Sequence, residues 1–280
     1  MNLTSPSQVK AWCIENDFHP NKVLGQNFLI DQNALKAIVD AGLEGLEGLA
    51  GLEVLEIGPG LGVLTEEMLK RGCRVTAIEK DPVLAARLKG SLGNPEGLTV
   101  VAADALAWLA RGDQAHKTSQ TSQTFHPPKT FSCMVSNLPY QAGTRILLEL
   151  VKARELKSMT VLVQTEVAER LAAGPGSKTR GLAGVWAQLD YDVRIVRKVA
   201  ASCFWPRPEI GSSVVRLDRH DRNLALSEEE RKLFHRLTKQ AFEHRRKQLG
   251  SIFKDLIQST ARAEELSNDD WTALVKGLIG

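Results

Sequence analysis

The chain has 280 residues, 43% of them hydrophobic, and its 36 lysines and arginines nearly balance 33 acidic residues, leaving a net charge of +3. That length suits one large domain and a smaller one without staples, and the near-neutral balance excludes any reading built on whole-chain charge. Four isolated cysteines, Cys13, Cys73, Cys133 and Cys203, with no Cys-x-x-Cys pair and six scattered histidines, argue against a disulfide framework and a metal site and suit a reducing cytosol.

The first residues, Met1 to Pro6, lack a basic and then apolar leader. No apolar run approaches the roughly 20 residues of a membrane span, so a cytoplasmic protein with no membrane partner is expected. Ser5-Pro6 signals a helix over residues 7–17, followed by a polar loop at 19–22. A second helix fits 31–41, with Ala34, Leu35, Ile38 and Val39 on one face. Residues 42–51 repeat glycine-spaced triplets too short to build a repeat core and read as a biased loop. Apolar strands then alternate with amphipathic helices. Strands are expected at 53–57, 74–78, 98–102, 131–135, 159–164, 193–199 and 213–217. This alternation predicts a Rossmann-like α/β fold, a mainly parallel seven-stranded sheet with helices on both faces and an antiparallel edge. Residues 111–130, with their Thr-Ser-Gln repeats and Pro127-Pro128, read as a mobile polar insertion. Beyond a polar boundary at 218–225 the chain turns helical and charged. Ser227-Glu228-Glu229-Glu230 forms a capping box, and another helix starts near Ser267. Domains of 1–222 and 223–280 follow, the second all-helical.

Four motifs fall at the carboxyl ends of consecutive predicted strands, where open α/β sheets bind ligands. Gly58-Pro59-Gly60-Leu61-Gly62 closes the first strand; its glycines let backbone approach a ligand, and the helix that follows supplies amide donors. Such a loop fits any nucleotide-binding doubly wound fold. Its spacing, tighter than the Gly-x-Gly-x-x-Gly of an NAD site, suits a ligand without a pyrophosphate, such as S-adenosylmethionine. Glu79 ends the second strand, where a carboxylate accepts both hydroxyls of a ribose. Asp104 ends the third, as an acceptor for an adenine amino group or as a helix cap. Asn137-Leu138-Pro139-Tyr140 ends the fourth. It offers an amide oxygen, carbonyls and a flat ring to a planar base, or is an ordinary turn in which Pro139 stops the strand.

These motifs stand beside Lys22-Val-Leu-Gly25-Gln26-Asn27-Phe28-Leu29, Gln164-Thr-Glu-Val-Ala-Glu-Arg170-Leu171, Phe204-Trp-Pro206-Arg-Pro208-Glu-Ile210-Gly-Ser-Ser213 and Phe242-Glu-His-Arg245-Arg246-Lys247-Gln-Leu249. Together, over residues 20–256, they resemble the ribosomal RNA adenine dimethyltransferases of the KsgA type, relatives of the Erm resistance methyltransferases and the mitochondrial transcription-factor-B proteins. The resemblance implies an enzyme that converts S-adenosylmethionine to S-adenosylhomocysteine without a metal. It would dimethylate N6 of two adjacent adenines near the 3′ end of 16S small-subunit ribosomal RNA during ribosome biogenesis, as a monomer acting on an immature 30S particle. It also implies roles at the site. Asn27 and Leu29, otherwise a loop and helix start, would contact the methionine end of the cofactor. Gly58 and Gly60 would form its floor, Glu79 would hold the ribose, Asp104 the adenine, and Asn137 would border it. Phe204, otherwise a core aromatic, would face Tyr140 across the target base.

In that reading the Asn137 side-chain oxygen and the Leu138 carbonyl each accept a hydrogen bond from N6. The nitrogen, whose lone pair is delocalised into the ring, can then pyramidalise while Tyr140 and Phe204 stack on the flipped base. Positive charge for RNA gathers at 230–254, where Arg231, Lys232, Arg236, Lys239, Arg245, Arg246, Lys247 and Lys254 face only Glu230 and Glu243. Arg245, Arg246 and Lys247, with Lys178 in the loop 174–181, are the candidate phosphate contacts, a solvated helix face being the plainer reading. Three departures from the common pattern stand out: Ser136 in place of glycine, Gln141-Ala-Gly-Thr144 after the motif, and Arg180 where tyrosine is frequent. Two other functions fit the sequence: Erm-like methylation of a 23S ribosomal RNA adenine, and a non-catalytic RNA-binding assembly or transcription factor with a vestigial pocket.

Overall fold

The computed structural model describes residues 2–21, 24–114, 131–153, 156–223, 226–254 and 256–279. Most of the insertion expected at 111–130 lies outside the described residues, as do Lys22 and the end of the polar boundary at 224–225. In chain order the elements are α1 (Pro6–Glu15), β1 (Phe28–Leu29), α2 (Gln32–Leu43), β2 (Glu53–Ile57), α3 (Val63–Lys70), β3 (Arg74–Glu79), α4 (Pro82–Ser91), β4 (Leu98–Ala102), α5 (Ala105–Gln114), β5 (Cys133–Asn137) and α6 (Gly143–Ala153). There follow β6 (Ser158–Gln164), α7 (Thr165–Ala172), α8 (Leu182–Asp190), β7 (Tyr191–Val199), β8 (Phe204–Trp205), β9 (Ser212–Arg219), α9 (Glu228–Glu243), α10 (Leu249–Ile252) and α11 (Asn268–Ile279). Two compact units result, Met1–Thr165 with Ile195–Leu217, and Glu166–Arg194 with Asp218–Gly280.

The first unit is built on the expected seven-stranded sheet, in the order β4-β3-β2-β5-β6-β9-β7. The pairs β2·β3, β3·β4, β2·β5 and β5·β6 are all parallel. Val54, Leu55 and Ile57 of β2 are at most 2% exposed, which is why adjacent apolar residues on both faces, interrupted only by the buried Glu56, form this central strand rather than an alternating pattern. Aspartates start α2 and α4: Asp31 accepts from the Ala34 amide at 2.7 Å, and Asp81 from Val83 at 2.9 Å with Pro82 opening α4. The chain runs outward from β2 to β4 on one side and resumes with β5 on the other. The order therefore reverses between β2 and β5, the place where such sheets open a crevice.

Two local expectations shift. The strand expected at 131–135 lies two residues later, so Asn137 is its last residue rather than the first beyond it. Residues 28–29, which local pattern reads as loop and helix start, form an antiparallel ribbon in which Phe28 pairs with Trp205 and Leu29 with Phe204. The partner strand is remote in sequence, and two residues carry no period.

The second unit is helical. Val185 and Leu189 of α8 share a core with Phe234 and Leu237 of α9 and Trp271 and Val275 of α11. That shared core draws Glu166–Arg194 into the helical unit, whereas a boundary at 222 groups α7 and α8 with the sheet. The capping box forms at the head of α9: Ser227 Oγ accepts from the Glu230 amide at 3.2 Å, and Glu230 Oε2 from the Ser227 amide at 2.6 Å. Arg231 is an interior residue, paired with Asp190 at 2.8 Å, and both side chains are under 10% exposed. It is therefore removed from the phosphate-contacting surface expected of 230–254. Among the described residues no helix is long and apolar enough to cross a membrane.

Candidate active site

A cavity of about 180 Å³ opens at the carboxyl ends of the first four parallel strands, at the junction of β2 and β5. Asn27, Leu29, Gly58, Gly60, Glu79, Asp104, Asn137 and Pro139 all line it. Leu138, Tyr140 and Phe204 do not. Leu138 is 1% exposed, and Phe204 is 2% exposed within the main hydrophobic core, where its ring secures the β1–β8 ribbon instead of presenting a face to the cavity.

On the glycine-loop side, backbone sets the geometry. Gly58 and Gly60 have φ of 69° and 59°, which other residues adopt only with strain, and a Cβ on Gly60 would sit 3.2 Å from the Phe28 ring. The Gly60 amide donates to Glu79 Oε2 at 3.1 Å and the Asp81 amide to Glu79 Oε1 at 2.8 Å, so two backbone donors aim this carboxylate. Burial raises the Glu79 pKa, and those amides oppose the rise. Asp104 is held by Lys80 Nζ at 2.9 Å and caps α5 by accepting from the Ala107 amide at 3.1 Å. The Lys80 bond and then the cap keep its carboxyl below the usual range. Capping and ligand binding are thus not alternatives for Asp104, since its carboxylate has four acceptor sites.

The segment 136–140 is secured by side chains. Ser136, fully buried, accepts from the Ile57 amide through Oγ at 2.8 Å, joining β5 to the strand that leads into the glycine loop. Asn137 Nδ2 donates to the Asn27 carbonyl at 3.2 Å. A carbonyl only accepts, so this bond fixes which way round the amide sits and leaves Oδ1 as its acceptor end. Tyr140, half-buried, hydrogen-bonds through its hydroxyl to Ser212 Oγ at 2.6 Å, which locks the ring.

Glu56, Lys80 and Ile146 are among the lining residues that sequence reasoning did not single out. Glu56 is 1% exposed and accepts from Thr65 Oγ1 at 2.5 Å; burial pushes its pKa up to about 8. An acid inside the apolar run before Gly58 was the available signal. Lys80 follows Glu79 directly, but its bond to Asp104 is tertiary. Ile146 of α6 reaches the cavity only through folding. Of the candidate RNA contacts, Arg245, Arg246 and Lys247 lie in the turn after α9, not on the helix. Arg245 donates to the Lys178 carbonyl and lies 3.7 Å from Glu264, whereas Arg246, Lys247 and Lys178 are exposed.

A glycine loop, an acid ending the next strand and an Asn-x-Pro-Tyr segment, on this strand order, are the pattern of a Rossmann-like methyltransferase. Two solved structures share the fold. A dimethyladenosine transferase from Plasmodium falciparum superposes with a TM-score of 0.68 at 22% identity, covering 88% of this chain and 95% of that one. The 23S rRNA methyltransferase ErmE gives 0.66 at 24% identity, covering 91% and 100%. The family model "Ribosomal RNA adenine dimethylase" matches residues 17–274, and the chain belongs to that family. It is 42% identical over 220 residues to the ribosomal RNA small subunit methyltransferase A of Deinococcus radiodurans, covering 77% of this chain and 67% of the relative. With that of Mycobacterium bovis (strain BCG / Pasteur 1173P2) it shares 35% over 299 residues, covering 99% and 88%.

Proposed function

We propose that this chain is an S-adenosylmethionine-dependent dimethyltransferase acting on N6 of two adjacent adenines near the 3′ end of small-subunit ribosomal RNA. Its setting would be an immature small subunit in the cytoplasm, with the enzyme a monomer. The observation that carries the reading is the Asn137 amide in the cavity wall, whose Nδ2 is taken by the Asn27 carbonyl so that Oδ1 is left as its acceptor.

The residues fit the cofactor. Two glycines at positive φ give a floor without side chains, the doubly anchored Glu79 suits a diol, and Asp104 suits an amino group. When bound, S-adenosylmethionine supplies a methyl group made electrophilic by its sulfonium. Everything else is done by the chain. Asn137 Oδ1 and the Leu138 carbonyl accept the two N6 hydrogens, drawing the lone pair out of conjugation and stabilising the positive charge that develops on nitrogen. Tyr140, its ring fixed by Ser212, stacks on the flipped adenine. Phe204 supports that lip from the core. The remainder of the rate comes from holding the nitrogen in line with the methyl group.

A tritiated-methyl assay on immature small subunits, followed by nucleoside mass spectrometry, tests the proposal. Label in N6,N6-dimethyladenosine of the small-subunit RNA is expected. Label only in large-subunit RNA would establish the Erm-like activity, and no transfer to either would leave an RNA-binding factor.

A further inference from the structure

Arg180 stands in the loop between α7 and α8, within the second unit, and is 1% exposed. A guanidinium at that depth normally has an anionic partner, because an uncompensated buried charge is costly. Arg180 has none among the described residues. Its Nη1 donates to the Ala173 carbonyl at 3.0 Å and to Gln188 Oε1 at 3.1 Å, and its Nη2 to Asn268 Oδ1 at 3.1 Å. All three acceptors are neutral, and Nε has no acceptor at all. Burial lowers the Arg180 pKa, with no neighbouring charge opposing it. The end of α7, just before Ala173, supplies only the partial negative charge of a helix terminus, about half an elementary charge, and the start of α11 at Asn268 carries the opposite sign.

The same side chain lines a cavity of about 360 Å³ with Arg222, Gln188, Asn223, Ser267 and Asn268. Two carboxylates also border it. Asp192 is taken up by an ion pair with Arg222, and Asp269 lies in the first turn of α11; neither pairs with Arg180. A polar hollow with a buried, under-compensated cation in its wall is a site for an oxyanion.

We propose that this cavity seats one phosphate group, Arg180 supplying an under-compensated buried charge in its wall and Arg222 an accessible donor at the rim. The phosphate is a backbone phosphate of the RNA, an assignment that rests on the proposed function. A polyanion is favoured over a lone phosphate ion because the loop carrying Arg180 also presents Lys178 to solvent, giving an extended chain a second contact.

The test follows the Arg180 Nε–H resonance in ¹⁵N-labelled protein, assigned by its loss in Arg180→Lys. Inorganic phosphate is titrated against sodium chloride at matched ionic strength, then an RNA oligonucleotide of the substrate sequence is added. Saturable shifts with both are expected, the phosphate competing with the RNA. Arg222→Gln, an exposed change that leaves the helical core intact by circular dichroism, should weaken phosphate binding about tenfold, the weight of one charge-assisted hydrogen bond. An unmoved resonance throughout overturns the site. A response to phosphate but not to RNA overturns the RNA assignment. Neither titration uses cofactor or methyl transfer, so this proposal and the proposed function can fail separately.

Discussion

The glycine-loop side of the cavity and the Asn137 side meet where β2 adjoins β5, yet their side chains are held in different numbers of places: one carboxylate by two amides on the first, three residues by one tie each on the second. On the first, Glu79 is aimed by two backbone amides, one of them from its own strand end and the other from the glycine loop. On the second, Ser136, Asn137 and Tyr140 are each tied through a side chain to a different distant segment: Ile57, Asn27 and Ser212. The two amides that aim Glu79 come from backbone and survive substitution of Gly60's or Asp81's neighbours, whereas each tie on the Asn137 side is single and is cut by one substitution. On the proposed function, substitution on the glycine-loop side should bring graded loss of cofactor affinity, and on the Asn137 side an abrupt loss of turnover.

The sharpest way to break that contrast is Asn137→Ala, which removes an acceptor used most strongly as charge develops on N6. Turnover should fall about 10²–10³-fold in a single-turnover methyl-transfer assay, with cofactor affinity by calorimetry falling far less. Full turnover would end the acceptor role. Next, Glu79→Ala should weaken cofactor binding about 10–100-fold while leaving turnover at saturating cofactor near its starting value, because the lost bonds are made in the ground state as well. If turnover collapses too, the two sides are not separable.

Ser136→Ala leaves the Ile57 amide buried and unpaired, which should cost about 1–3 kcal/mol and lower the melting temperature by roughly 2–4 °C per kcal/mol. An unchanged melting curve would mean that the tie carries no weight. A further expected effect is a pH dependence. Glu56 holds its proton up to about pH 8, because burial opposes its charge and Glu79 adds to that, against the pull of the Thr65 hydroxyl. Unfolded, it releases that proton near 4.5. Its contribution to stability is thus complete below about 4.5, declines as pH rises, and is gone above about 8. Glu56→Gln should flatten the melting temperature of cofactor-free protein across that window, and an identical slope would remove Glu56 as its source.

The same contrast explains what could be read before the fold was known. The glycine loop, Glu79 and Asp104 were legible because each ends a strand whose apolar run is local, and position at a strand end is itself the signal. The sheet was legible for the same reason. The three ties were not, since each joins residues that only tertiary structure brings together. Nor was the β1–β8 ribbon, two residues against two. Local charge also misled: Arg231 counts as basic in composition, but Asp190 takes it into the interior. The transfer of α7 and α8 to the helical unit depends on Val185 and Leu189 meeting α9 and α11, which an amphipathic pattern cannot assign to one partner or another.

The Asn27 carbonyl does more than orient an amide. It prevents the Asn137 side chain from turning over, so the face offered to the base remains an acceptor whatever the base has become. In the proposed clamp this makes the lip a counter of hydrogens. Adenine brings two, the monomethylated base one, and the dimethylated base none. After the second transfer both oxygens face a nitrogen with nothing to give, at about 1–3 kcal/mol for each acceptor left unpaired. A lip that could flip would adapt to the finished product and retain it; a pinned one stops at two and lets go.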